Sequence, residues 1–311
     1  MMRTSTRQVS RYFVKSSAAG RRRVLAGSVL WLFSGCILAE ESSGKNTPGL
    51  PNPAEASTVP VESQTSASLK VPRLTNAEQA NVFDEAIHIL GGNVNVQSKW
   101  IDNIRFTIIG QASAAAREQV SITLQDIAGQ TGLAVSNAEN PYATASDFVA
   151  AIEQSPKGHW RPCTQKNTMC ANLLILVTDV DAMRDVAQAV PLRPVYLRSL
   201  ADTGGASCFF SPFINQRKEI VGALVFVSSD LAEPMLRTCL QEEIYQSFGL
   251  FNDFSGSNYF SFNNIVAPKS ITHYDRTLLT SIYDPAFQPG TPVFRVTARF
   301  MELLGYEQFR R

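Results

Sequence analysis

The chain has 311 residues with 28 basic and 27 acidic side chains, so it is nearly neutral as a whole. The first 39 residues hold seven basic and no acidic side chains, which leaves 21 basic against 27 acidic residues, a net charge of −6, in the remainder. An acidic chain without a basic patch, a phosphate-binding loop or a dinucleotide fingerprint excludes the usual nucleic-acid-binding classes.

The N-terminal segment is typical of an export signal. Arginines 21–23 precede the apolar stretch 24–38, whose 15 residues are fewer than the ~20 that a membrane-spanning helix needs. Two alternative cleavage sites are compatible with the sequence. The run 33–36 resembles a lipobox, which would leave a lipidated Cys36 as the mature N-terminus, whereas Ile37-Leu38-Ala39 would allow cleavage before Glu40. We interpret residues 1–39 as an export signal and expect a periplasmic lipoprotein, anchored to the membrane through Cys36.

Residues 40–72 are rich in Ser, Thr, Pro and Glu and have few large apolar side chains. Such a composition cannot bury enough surface to offset the entropy of ordering, so it predicts a disordered linker. The remaining residues, 73–311, are numerous enough for one sizeable domain.

The predicted elements of this domain follow one another with clear end signals. Thr75 and Glu78 form a capping box that opens a helix ending at Gly91. The spacing then predicts an alternating, half-buried strand over 100–109, a helix over 113–130 that stops before Gly132, and strands over 133–136, 172–178 and 220–228. Ser229 and Asp230 are expected to cap the motif helix over 231–248. We expect an α+β fold with a mixed sheet packed on helices.

Four cysteines follow Cys36, and an even number in an exported chain indicates two disulfides, for which three pairings exist. Cys163 and Cys170 lie close together in a polar stretch. Cys208 and Cys239 flank the strand over 220–228. We therefore expect the bridges Cys163–Cys170 and Cys208–Cys239. A four-thiol zinc site would need C-x-x-C spacing, which the sequence lacks.

The most informative motif lies over 239–253, which has the spacing of the zinc-peptidase helix H-E-x-x-H-x-x-G-x-x-H. Only the general-base glutamate, Glu243, and the turn glycine, Gly249, are kept. The three histidine positions hold oxygen and amide side chains, namely Glu242, Gln246 and Asn252. These groups suit a hard cation better than zinc, so we expect no tight zinc site.

A purely structural interpretation of the same run stays open. Gly249 is an ordinary residue after a helix end, and Leu250 is an ordinary hydrophobic contact behind it. A helical wheel, however, places Glu243 and Gln246 inside the apolar arc, where a carboxylate needs a partner or a raised pKa. We expect Glu242, Glu243, Gln246 and Asn252 to converge, with Glu243 hydrogen-bonded to Tyr283 or to a backbone group.

The motif and the runs after it resemble the bacterial envelope family called domain of unknown function 2927. The later runs are 260–264, then 275–285 beginning with Asp275-Arg276 and ending at Tyr283-Asp284-Pro285, and finally Gln288-Pro289-Gly290. The family is in turn similar to metzincin-like zincins. The resemblance implies a zincin-like fold in which Phe262 takes the place of the methionine under the metal.

Two functions from different classes follow. The first is a non-catalytic protein that binds a peptide, glycan or envelope protein, as the loss of every imidazole ligand indicates. The second is a hydrolase with Glu243 as base and a hard cation held by Glu242, Asn252 and Asp253. The sequence favours the binding protein, and no cofactor is indicated.

Overall fold

The computed structural model describes residues 73–91, 95–139, 142–154, 171–190, 208–254, 259–262 and 270–309. The chain divides into two units, Met1–Ser66 and Ala67–Arg311, and every described residue belongs to the second. The export signal, Cys36, the linker over 40–72 and the bridge Cys163–Cys170 therefore lie outside the described residues and stay predictions. No helix within the described ranges is both long enough and apolar enough to cross a membrane.

Seven α-helices and a 3-10 turn are found within the described ranges. The helices are α1 (Asn76–Gly91), α2 (Ala114–Thr131), α3 (Ala145–Gln154), α4 (Val180–Ala189), α5 (Glu233–Gln246), α6 (His273–Ile282) and α7 (Val293–Leu303), and the turn is Glu307–Phe309.

The helix ends follow local chemistry where the sequence signals are strong. Thr75 and Glu78 form the expected capping box, with the Thr75 amide donating to Glu78 Oε2 at 2.7 Å. Ser113 accepts from the amide of Ala116 at the start of α2. Gly132 ends α2 with φ +72°, a conformation that glycine adopts without strain.

The sheet has six strands, and five of them are parallel. They are β1 (Lys99–Trp100), β2 (Ile104–Gly110), β3 (Val135–Asn137), β4 (Leu173–Thr178), β5 (Cys208–Ile214) and β6 (Glu219–Ser228). The order is β1-β6-β4-β2-β3, and β5 pairs antiparallel with β6. The mixed sheet is confirmed. The α+β class is corrected to a mixed α/β domain with a mostly parallel sheet, because parallel neighbours need crossover connections such as α2 between β2 and β3.

Alternate residues of the central strands face two different helical layers. In β4, Ile175 belongs to the core shared with α1, α2, α5, α6 and α7, whereas Leu174 and Leu176 belong to the core shared with α3 and α4. Burial on both faces explains why β4 and β6 are continuous apolar runs rather than alternating ones.

Two local predictions are wrong. The strand expected over 100–109 is two strands, and Thr107, expected on the polar face, is buried because β2 is covered on both sides. The motif helix, α5, begins at Glu233 rather than near Leu231. It has no side-chain cap but has a proline in its first turn. Asp230 instead forms a turn, donating its amide to Ser228 Oγ at 3.2 Å.

Candidate functional site

Helix α5 carries the motif and is fixed to the sheet at its middle. Its apolar face, which includes Leu240 and Ile244, packs against α2, β5 and β6. The disulfide Cys208–Cys239 is confirmed, with 5.9 Å between the Cα atoms. It joins the start of β5 to α5 one turn before Glu243, so the edge strand and the motif helix form one covalent frame.

The chain turns back at Gly249, as the motif spacing predicts. This residue has φ +116°, and an added Cβ would lie 2.7 Å from Gln97 Nε2 and 2.9 Å from the Ser98 carbonyl oxygen. Glycine is therefore required both by conformation and by space. The Gln97 side chain holds the turn, since its Nε2 donates to the Gly249 carbonyl at 3.0 Å.

Behind this turn, Asp253 returns to the motif helix. The Gln246 amide donates to Asp253 Oδ1, and Gln246 is only 4% exposed. Glu243 is also buried, at 7% exposed, while Glu242 is half-buried. The predicted inward direction of Glu243 and Gln246 thus agrees with their observed burial.

These carboxyl groups strongly affect one another. Burial raises the pKa of Glu242 to about 8, and the charges of Asp253 and Asp275 add to the rise. Burial also raises the pKa of Glu243 well above its ordinary value, with Glu242 and Asp253 contributing. Both effects disfavour the ionised form. With its pKa at about 8, Glu242 is mostly protonated at neutral pH, and the pKa of Glu243 is shifted in the same direction.

Asn252 forms its hydrogen bonds with α1. Its side-chain amide donates to the carbonyl of His88 on α1 at 2.9 Å, and its backbone amide donates to the carbonyl of Ile89 at 3.2 Å. Neither bond joins Asn252 to Glu243, and the expected convergence of the two residues stays a prediction. The residue after the turn is committed to α1, and the next one, Asp253, reaches Gln246.

The expectation for Tyr283 is corrected, because it does not bond Glu243. Its hydroxyl donates to the Phe248 carbonyl at 3.1 Å and accepts from the Trp100 amide at 3.2 Å. Tyr283 thus fastens the end of the motif helix to β1. Within the described part of the chain, the carboxyl group of Glu243 has no hydrogen-bond partner.

Asp275 and Phe262, expected to be supporting residues of the site, are both buried. Asp275 is fully buried at the start of α6, where it closes a capping box with Thr272 and accepts from the Ser261 amide at 3.2 Å. Burial raises its pKa. Phe262 is fully buried, and its carbonyl accepts from the amide of Phe254, so it lies beneath the loop that follows Asp253.

One network was not predicted from the sequence. The hydroxyl of the buried Tyr245 donates to Asp126 Oδ2 on α2 at 2.5 Å, and Arg276 Nε donates to the same oxygen at 2.8 Å. It ties α5 to α2 and α6. Tyr245 and Arg276 stand in motif runs, but nothing in the sequence near Asp126 signals a partner more than a hundred residues away.

The hard-cation hypothesis stays a prediction. Asn252, one of its three ligands, donates a hydrogen bond from its side-chain nitrogen to the His88 carbonyl on α1. Among the described residues, no group of three or more His, Cys, Asp or Glu side chains is arranged to hold a metal ion.

The buried acidic motif, its turn and the mostly parallel sheet define an α/β domain with a carboxyl-rich site at the end of one helix. The family model described as "Protein of unknown function (DUF2927)" matches residues 82–302. The match covers more than half of the chain, which therefore belongs to this family, as the motif runs predicted. No curated protein and no solved structure matches the chain significantly.

Proposed function

We propose that the protein is an exported cell-envelope protein that binds a polypeptide partner at the end of α5 without turning it over, on a degenerate zincin-like frame. One observation carries the proposal. Glu243 is buried with no partner of its own among the described residues, beside a Gln246–Asp253 pair that is internally satisfied. Its carboxyl group is not among the fully buried, unpartnered side-chain groups of the described residues, so it keeps slight contact with solvent and a ligand can reach it and supply a hydrogen bond.

The protonation state fixes the chemistry of binding. With a pKa of about 8, Glu242 is roughly nine-tenths protonated at pH 7. The pKa of Glu243 is raised in the same direction. A neutral carboxyl group donates a hydrogen bond, so the pair suits a carbonyl or hydroxyl oxygen, as peptide bonds and glycans present.

The envelope location rests on two sequence features and one bond. The signal over 1–39 and the lipobox at Cys36 direct the chain to the envelope and anchor it there. The Cys208–Cys239 bridge is typical of an oxidising compartment such as the periplasm. Intact-mass measurement of the mature protein tests this, because a free N-terminus at Glu40 would reject lipidation and a retained Met1 would reject export.

The binding proposal is tested with two substitutions at one position. Glu243→Gln keeps a hydrogen-bond donor, whereas Glu243→Ala removes it. Immobilised full chain is incubated with envelope extract, and each bound polypeptide is identified and its intact mass measured. We expect the wild type and Glu243→Gln to retain the same intact partner, Glu243→Ala to lose it, and the exposed control Glu118→Ala to keep it.

The same experiment distinguishes binding from a second candidate function, hydrolysis. The interacting carboxyl groups of Glu242 and Glu243 favour it, because a raised carboxyl pKa is typical of groups that act in acid–base catalysis. A hydrolase would release fragments from the wild type and hold the intact partner only with Glu243→Gln. If no partner depends on position 243, both proposals for this site are wrong.

A further inference from the structure

The structure has a second surface feature, a groove formed by elements other than the motif helix. It lies between α1, α7 and the turn Glu307–Phe309, with a cavity volume of about 550 Å³. Ligand and side-chain pockets fall in this size range. Aromatic rings make up much of its wall, and the lining residues are Phe83, Phe287, Phe294, Arg295, Arg299, Glu302, Gln308 and Phe309, together with Ala298.

The apolar part of the groove is preformed but incompletely covered. Phe83 and Phe309 stack at 5.2 Å between ring centroids, and Phe287 is nearly buried. Phe294, in contrast, is 60% exposed, the largest exposed fraction among the large hydrophobic side chains of the described residues. Covering such a ring removes apolar surface from water, so a partner that covers Phe294 gains affinity.

The charges in the groove are unbalanced. Arg299 is paired with Asp284 at 2.8 Å and with Glu302 at 3.0 Å, so these charges are satisfied internally. Arg295 is exposed and lies 5.8 Å from the ring centroid of Phe287, and no described carboxylate pairs with it. One positive charge is therefore available to a partner.

The position of Arg295 in its helix does not favour a positive charge, so the stability of the fold does not explain why a cation stands there. It is the third residue of α7, whose first turn has no acidic side chain. The helix dipole disfavours a cation in a first turn, and a carboxylate would be favoured there. The cation thus stands against the local helix preference, at the edge of an exposed aromatic groove.

From this combination we propose that the groove binds an acidic peptide segment in which a large apolar side chain neighbours Asp or Glu. The apolar side chain covers Phe294 and enters beside Phe83 and Phe309, and the acidic group pairs with Arg295. The proposal is independent of the motif site and stands if that site binds nothing.

Panning of a displayed library of random dodecapeptides against the full chain tests the proposal. We expect enrichment of sequences with an aromatic or large aliphatic residue next to Asp or Glu. A fluorescein-labelled peptide of the enriched sequence should then bind at least tenfold more weakly to Arg295→Glu and to Phe294→Ser. Replacing the acidic residues of the peptide by Lys should weaken its binding to the wild-type protein to a similar extent.

Two matched variants control for the loss of any surface arginine or apolar residue. Arg117→Glu and Ile122→Ser change exposed residues on α2 and should bind the peptide like the wild type. Arg295→Glu should fold normally, since a carboxylate suits the first turn of α7. No enriched sequence, or equal binding by all four variants, would overturn the proposal.

Two other occupants would also overturn it. A dimer in analytical ultracentrifugation that dissociates with Phe294→Ser would assign the groove to a second copy of the chain. Binding to phosphatidylglycerol vesicles that is lost with Arg295→Glu would assign it to a membrane surface.

Discussion

Replacing Glu242 with glutamine should stabilise the protein at high pH and leave its stability near pH 4.5 unchanged. The folded-state pKa of Glu242 is about 8, against an ordinary value of 4.5. Between these values the folded state holds a proton that the unfolded state has released, so the free energy of unfolding falls as pH rises. The contribution of Glu242 is fully present below pH 4.5 and is lost as pH rises through 8.

The size of the effect follows from the shift. Each pH unit between the two pKa values costs about 1.4 kcal/mol, which gives an upper limit of roughly 5 kcal/mol. Glu242 keeps some exposure and titrates together with its neighbours, so we expect about half of that limit, or about 2–3 kcal/mol. Glu242→Gln is neutral throughout and should gain this amount over the wild type at pH 9.

Urea unfolding followed by tryptophan fluorescence at pH 5 and pH 9, without reductant, measures the difference. The control is Glu118→Gln, at an exposed position on α2, whose effect should be small at both pH values. A gain of equal size at pH 5 and pH 9, or no gain at pH 9, would refute the claim that burial keeps Glu242 neutral.

Three further substitutions test the frame of the site. Gly249→Ala should lower the free energy of unfolding by about 2 kcal/mol or more, because φ is +116° and the new Cβ would lie 2.7 Å from a side-chain nitrogen. The control Gly129→Ala, in open space on α2, should stabilise by about 0.5–1 kcal/mol. Equal urea midpoints for the two variants would contradict this prediction. Replacing Cys208 and Cys239 with serine should cost about 3–4 kcal/mol, since the bridge closes a sequence separation of 31, and an unchanged midpoint relative to the oxidised wild type would exclude a stabilising role. Asp126→Asn should cost about 1–3 kcal/mol in the same assay, because a tyrosine hydroxyl and an arginine share its oxygen, and a smaller loss would show that solvent replaces those bonds.

The parts of the fold that the sequence predicts are those set by nearby residues. Caps such as Thr75 and Ser113 satisfy amides within their own first turn, so their helices begin where expected. Continuous apolar runs predict β4 and β6, because burial on both faces removes the polar alternation.

Strand direction and pairing could not be predicted in the same way. The partner of a strand is set by segments far along the chain, as with β4, whose parallel neighbours β2 and β6 lie on either side of it in sequence. The antiparallel strand β5 escaped prediction, since Pro212 interrupts its apolar pattern.

The candidate site divides at Gly249 for the same reason. Before the glycine, helix periodicity alone determines which side chains point inward, and Glu243 and Gln246 are buried as predicted. After it, direction depends on contacts with remote elements. Asn252 is held by α1, and Asp253 bonds Gln246 on the motif helix.

The energetics of this arrangement favour a functional interpretation over a purely structural one. A largely buried carboxyl group lowers stability because burial disfavours its charged form, and a well-packed apolar side chain at position 243 would avoid that loss. The frame around it is reinforced at three points: the disulfide to β5, the Tyr245 hydroxyl bonded to Asp126, and the turn at Gly249. A fold that needed α5 only for packing would require the reinforcement but not the acid. On the proposed function, this frame holds Glu243 in place for a partner that forms a hydrogen bond with its carboxyl group.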